Sequence, residues 1–484
     1  MMRKTVKTLS VLLTLCMLFG CFAGCRKGGT DGSSSDEETV IVYIDDSEAE
    51  STVGDSSNKT ESSNEPSSGN TSSKTVSSSK NNEKRDLKGR TITFMTIWSE
   101  PEKGTSSFWN NYWKVKTEVQ KEYNCTFKHV YGTGNWYDTW VASVMAGTPS
   151  ADVICCKEDP YSSIKSGLFY DVSKLSEFDF KEDKWQRTIL DLGKVNNNQY
   201  VFGAAKFQPD TILLYNKEML AANGIKDLYT LQKNGKLSLD DFISIATQLK
   251  TKTGKASVLP GINVFNVHKW FAWACGGKFM SRTANTISLS STVDSNAVKT
   301  GFEKAQALVN SGVIETNTDT SNWLWSREQF SKGNYPILLA GDLETALKNA
   351  SFTVGACRMP SASGGYMNIT DTIQWCAMPY NVKNPEDVAL VFNRMADVIF
   401  IVDYKSRYQD IATDDIMEMI NEQVKDQANG KYELDYSGIF LNDIWDNGVG
   451  TALRSMTTGA ATPAQTIQTV KNLFASLITN KFGK

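Results

Sequence analysis

The chain has 484 residues, 51 Lys+Arg against 54 Asp+Glu, a formal net charge of −3 and 40% hydrophobic residues. Its length suffices for about two or three domains with sizeable cores, and its balanced charge excludes a nucleic-acid binder, whose domain carries a strong basic excess. Two histidines, His129 and His268, are too few for a His-rich metal site, and no apolar run beyond residue 25 reaches the roughly 18–20 residues that span a bilayer.

Residues 1–25 have the three parts of an export signal. Arg3, Lys4 and Lys7 supply the positive start, and an apolar stretch runs from Val11 to Phe19. It is followed by Gly20-Cys21-Phe22-Ala23-Gly24-Cys25. This junction resembles a bacterial lipobox, in which a small residue precedes a cysteine that is acylated and becomes the new N-terminus. Cys25, behind Ala23-Gly24, is the preferred lipidation site, with Cys21 as the alternative.

Residues 26–86 hold 16 Ser, no Trp, Phe or Leu, and one aromatic, Tyr43. Such a segment cannot bury enough apolar surface to offset its ordering entropy, so a disordered linker is expected. It carries seven basic and thirteen acidic residues, and residues 1–25 carry three basic and no acidic ones, which leaves residues 87–484 neutral. The strand-like run 39–44 inside it is too short to fold alone.

The body opens with an alternating strand over 91–96, then a helical pattern over 108–123 and a strand over 126–131. A helix over 137–146 and an apolar strand over 151–156 follow. Cys155 and Cys156 are neighbours on that strand and point to opposite faces, as small core residues rather than a redox pair. Ser238 and Asp241 form a capping box before a helix over 242–249. A helix over 296–310 closes at Gly312, and Asn384 with Pro385 opens one over 386–401. Strands alternating with helices predict an α/β fold with largely parallel sheets.

Catalytic signatures are absent from this sequence. There is no phosphate loop, no GxSxG elbow and no CxxC spacing, so neither a metal nor a cofactor is implied. Acidic neighbours such as Glu158 with Asp159, Glu100 with Glu102, and Asp342 with Glu344 keep a glycan-degrading enzyme open as the alternative. The Trp residues say more, because sugar rings stack their C–H faces on aromatic planes. Trp98 directly follows the first strand, where ligands of parallel sheets bind, whereas Trp113 and Trp185 are expected in the core.

Over residues 88–404 the chain resembles the family 1 extracellular solute-binding proteins of ABC importers. The resemblance rests on Leu87-Lys88-Gly89-Arg90-Thr91-Ile92-Thr93, on 140–149 with Ala151-Asp152-Val153-Ile154, and on Ser166-Gly167-Leu168-Phe169-Tyr170-Asp171-Val172. Further on it is carried by Tyr200-Val201-Phe202-Gly203-Ala204, by 213–220 with Asn223-Gly224-Ile225, by 237–242, and by 330–339. Ala204 stands where the family usually has Pro, and Gly341-Asp342-Leu343 where many relatives have Gly-Pro-Trp.

The resemblance implies a two-lobed, periplasmic-binding-protein-like (type II) fold whose lobes are joined by hinge crossings and close over ligand. The first lobe would span about 88–204 and 372–405, the second about 209–365 and 406–484, with the first crossing near 205–209. Ligand contacts would come from Trp98, Ser99 and Glu100, from Glu158 and Asp159, from Gln208 and Asp210, and from Asp342 and Trp375. Trp270 and Trp273 could replace the missing aromatic platform, or lie in the second lobe's core, since a spacing of three fits one helix face. The expected protein is a monomeric receptor rather than an enzyme. It is lipid-anchored on the outer face of the cell membrane and delivers a carbohydrate to an ABC permease. A receptor of similar fold for peptide or polyamine is the other alternative.

Overall fold

The computed structural model describes residues 85–104, 107–203, 212–260, 265–316, 324–340, 343–399, 408, 410–440 and 448–483. Cys21, Cys25, the linker up to residue 84 and the run 39–44 lie outside the described residues, as do the crossing near 205–209, Gln208, Asp210 and Asp342.

The strands of the two main sheets are β1 (Arg90–Thr96), β2 (Cys125–Tyr131), β3 (Val153–Cys156), β4 (Ile212–Asn216), β5 (Ile337–Ala340), β6 (Val354–Arg358) and β7 (Trp375–Ala377). The helices that cover them include α1 (Ser107–Tyr123), α2 (Trp136–Met145), α3 (Pro160–Lys165), α4 (Leu239–Thr253), α5 (Phe265–Ala274) and α6 (Asn296–Asn310). Later in the chain come α7 (Pro385–Ile399), α8 (Asp414–Ala428), α9 (Gly450–Thr457) and α10 (Pro463–Phe482).

The first sheet has the order β7-β3-β1-β2. Strand β1 runs parallel to both β2 and β3, with Arg90 opposite Cys125 and Phe94 opposite Val153. Strand β7 returns antiparallel, Cys376 opposite Cys155, and Phe202 pairs on its far side. Every position of β3 is buried, and the residues alternate between two cores. Val153 and Cys155 face the cluster of Phe94, Phe127 and Phe392, while Ile154 and Cys156 face Trp140, Tyr161 and Trp375. The period of two assigns the adjacent cysteines to opposite faces.

The second sheet corrects the expectation of largely parallel pairing. Its order is β6-β4-β5, and both neighbours of β4 run antiparallel to it. The residues 212–216 and 337–340 are buried throughout. A strand covered on both faces reads as a continuous apolar run whichever way its neighbours point, so the pattern carries no direction.

Helix starts follow the sequence closely. Ser238 and Asp241 exchange both bonds of a capping box at α4, which extends to Thr253 and ends on Gly254 with φ of 63°. A second box, Thr462 with Gln465, opens α10 around Pro463. Helices α9 and α10 join the core on the Ile154 and Cys156 face of the first sheet. Leu453, Met456, Val470 and Phe474 share one core with Trp140 and Ile154, and with Phe302 of α6. The amphipathic stripe of α10 is thus buried between elements far apart in sequence. Lys165 of α3 also donates to the Phe482 carbonyl at 3.2 Å.

Candidate functional site at the carboxyl edge of the first sheet

Because β1, β2 and β3 are parallel, their carboxyl ends share one edge, and the antiparallel β7 brings its amino end there. An edge of this kind is where open α/β sheets hold ligands. The residues that follow the strands are Trp98 after β1, Trp136 after β2, and Lys157 with Glu158 after β3; Gln374 precedes β7.

Trp98 is half-buried. Its carbonyl accepts a hydrogen bond at 3.0 Å from Nε2 of His129. A carbonyl oxygen can only accept, so His129 carries its proton on Nε2 and leaves Nδ1 bare. Nδ1 is buried without a partner among the described residues. Burial pushes the His129 pKa down, and the Trp98 bond offsets this only in part. The ring is therefore neutral near pH 7 and fixes the Trp98 loop to β2. Trp136 stands over Gly132, where a Cβ would fall 2.5 Å from the indole ring, so only glycine admits this approach.

Lys157 reaches back over Trp98, its ammonium 5.7 Å from the ring centroid. Burial depresses its pKa, and the charge of Asp371 works the other way. Asp371 is itself buried and accepts from Lys269 Nζ at 2.7 Å. Gln374 donates to Cys155 Sγ at 3.4 Å, which ties the start of β7 to β3.

The other expected contacts are placed as follows. Ser99 is exposed and Glu158 half-buried at this same edge. Glu100 turns toward α1, where its carboxylate accepts from Tyr112 at 2.7 Å and pairs with Lys116. Asp159 is buried and caps α3, accepting from the Tyr161 amide at 2.9 Å and the Ser162 hydroxyl at 2.6 Å. Trp375 is fully buried between Tyr137 and Phe169, and its indole N–H donates to the Glu158 carbonyl at 2.8 Å. Trp270 and Trp273 are also buried, in the core around the second sheet. Trp273 donates to Asp435 at 2.9 Å. None of these three rings presents an open face for stacking. The structure thus brings together Trp98, Ser99 and Glu158, and it adds Lys157, Gln374 and Trp136. Lys157 was signalled in the sequence by its place directly after an apolar strand, the same logic that singles out Trp98.

The profile of the bacterial extracellular solute-binding proteins matches residues 110–396. The chain belongs to this family. Members of the family are binding proteins rather than enzymes. A search of curated proteins by sequence gave no match. Solved structures with the same fold include the GacH receptor of Streptomyces glaucescens, solved unliganded and with acarbose. It shares 15% identity over 81% of this chain and 99% of its own, with a TM-score of 0.53. An ABC substrate-binding protein of Listeria monocytogenes in complex with cycloalternan has 14% identity, coverage of 82% and 99%, and a TM-score of 0.55. The galacto-N-biose-/lacto-N-biose I-binding protein of Bifidobacterium longum, in complex with lacto-N-biose, has 15% identity, coverage of 82% and 98%, and a TM-score of 0.57. At such identities the likeness shows the fold, which is the two-lobed, periplasmic-binding-protein-like α/β architecture.

Proposed function

We propose that the protein is an extracellular receptor that captures an oligosaccharide and presents it to an ABC permease, held at the membrane by an acylated Cys25. The observation that carries this reading is the half-buried Trp98 at the carboxyl edge of the parallel strands, its backbone carbonyl held by His129. Family membership and the carbohydrate complexes of proteins with the same fold support it. In this reading Trp98 stacks on a sugar face, and Ser99, Glu158 and Gln374 bond its hydroxyls. Gln208, Asp210 and Asp342 supply further contacts to the sugar. Residues 26–86 act as the spacer between anchor and body.

Trp98→Ala is expected to weaken oligosaccharide binding roughly tenfold or more, because an aromatic platform at the centre of a site carries a large share of the binding energy. Tryptophan emission of the wild type should shift on ligand addition, and Trp98→Phe should remove much of that shift. Equal affinity in wild type and Trp98→Ala would remove Trp98 from the site.

A further inference from the structure

We infer that the sugar bound at this edge carries an acid group, a uronic acid unit, and that Lys157 binds its carboxylate. This deepens the carbohydrate reading above and rests on it. Lys157 is half-buried at the end of β3, yet among the described residues it makes no hydrogen bond and no ion pair; its ammonium lies 5.7 Å from the centroid of the Trp98 ring. The other ammonium groups nearby are matched. Lys116 pairs with Glu100, and Lys269 pairs with Asp371 at 2.7 Å. Two of the nearby acids are matched as well, while Glu158 lies half-buried at the same edge. Asp371 is held by Lys269, and Asp159 by the α3 cap and Ser162, with Lys481 at 3.9 Å.

A partly desolvated ammonium with no counter-ion in hydrogen-bond contact is unfavourable; burial draws its pKa down, and the Asp371 charge offsets this only in part. Neutral hydroxyls would restore some of the lost hydration. A carboxylate does more, since it adds the Coulomb attraction of an opposite charge to the hydrogen bond that a hydroxyl could also accept. The same spot offers an indole face, so an anion site and a stacking surface for a sugar ring stand side by side. An acidic sugar fits both.

The test is calorimetric titration of the full chain with matched oligosaccharides that differ only at C6, hydroxymethyl against carboxylate. Galacto- against galacturono- and gluco- against glucurono-oligosaccharides are suitable pairs. The acidic member of at least one pair is expected to bind roughly ten- to hundredfold tighter, with a preference that shrinks as salt is raised. Lys157→Met keeps the aliphatic stem and should abolish the preference, weakening the acidic member of a pair more than its neutral match; Lys157→Arg should retain it. Unchanged melting temperatures in both variants exclude unfolding as the cause. If neutral members bind as tightly as acidic ones, or if Lys157→Met leaves an acid preference intact, the inference is overturned and the carbohydrate reading stands. If neither member of any pair binds, nor any neutral oligosaccharide in a wider panel, the carbohydrate reading falls and takes this one with it.

Discussion

Asp435→Ala is expected to lower the unfolding free energy by about 3–5 kcal/mol, read from the midpoint and slope of urea denaturation. The Asp435 carboxylate is fully buried and accepts four hydrogen bonds. They come from the Trp273 indole at 2.9 Å, the Phe279 amide at 2.8 Å, the Met280 amide at 3.1 Å and the Ser437 amide at 3.0 Å. This one side chain therefore joins α5, the strand that starts at Met280 and the segment after residue 435. Removing it strands buried donors, and each stranded donor costs about 1–3 kcal/mol before water or relaxation restores part. Asp435→Asn should not rescue the loss. An amide fills the same volume, but its NH2 faces N–H groups that need an acceptor. A loss under about 1 kcal/mol for Asp435→Ala would mean that the four donors find other partners.

The second large effect belongs to Arg358 and Asp426, which fasten α8 to the second sheet. Both are buried, and Arg358 Nη1 donates to Asp426 Oδ2 at 2.6 Å. Tyr366 and Lys431 donate to the same carboxylate, and the guanidinium lies over the Tyr366 ring with its carbon 3.2 Å from the centroid. Asp426→Ala leaves an arginine charge buried without its partner, for which about 3–5 kcal/mol of stability is expected to be lost. The double variant Arg358→Met with Asp426→Leu removes both charges and should regain most of that loss, because two well-packed apolar groups replace a pair whose desolvation nearly cancels its attraction. If the double variant is no more stable than Asp426→Ala, packing rather than charge sets the effect.

The same carboxylate predicts a pH dependence. Burial opposes its charge, but bonds from Lys431, Tyr366 and Arg358 outweigh burial and bring the pKa from 3.8 to about 2. The folded value lies below the unfolded one, so the stabilisation is complete above pH 3.8 and is lost as pH falls toward about 2. Integrated over that window it amounts to roughly 2 kcal/mol, and Asp426→Ala should flatten this part of the acid denaturation profile.

How much of this was readable beforehand depends on which physical rule governs each residue. The alternation of Cys155 and Cys156 between two cores follows from strand geometry alone and needs no neighbours. The capping box of Ser238 and Asp241 is equally local. The direction of β5 and β6 is not, since an apolar strand does not encode which way its partners run. Nor does a tryptophan encode its depth. Trp98 follows one strand of the first sheet and Trp375 opens another, yet one is half-buried and the other is enclosed by Tyr137 and Phe169. Only tertiary packing separates them. Asp159 carried a signal of its own, because Asp before Pro160 is the signature of a capped helix start, and that local role takes both of its oxygens.

We propose that the carboxyl edge of the first sheet binds a carbohydrate and releases it unchanged. Calorimetric titration of the full chain with a panel of neutral and acidic oligosaccharides, followed by recovery of each ligand, tests it most directly. One saturable site, a melting temperature that rises with ligand concentration, and sugar recovered intact are expected. No heat from any carbohydrate, or shortened oligosaccharides in the recovered ligand, would contradict it.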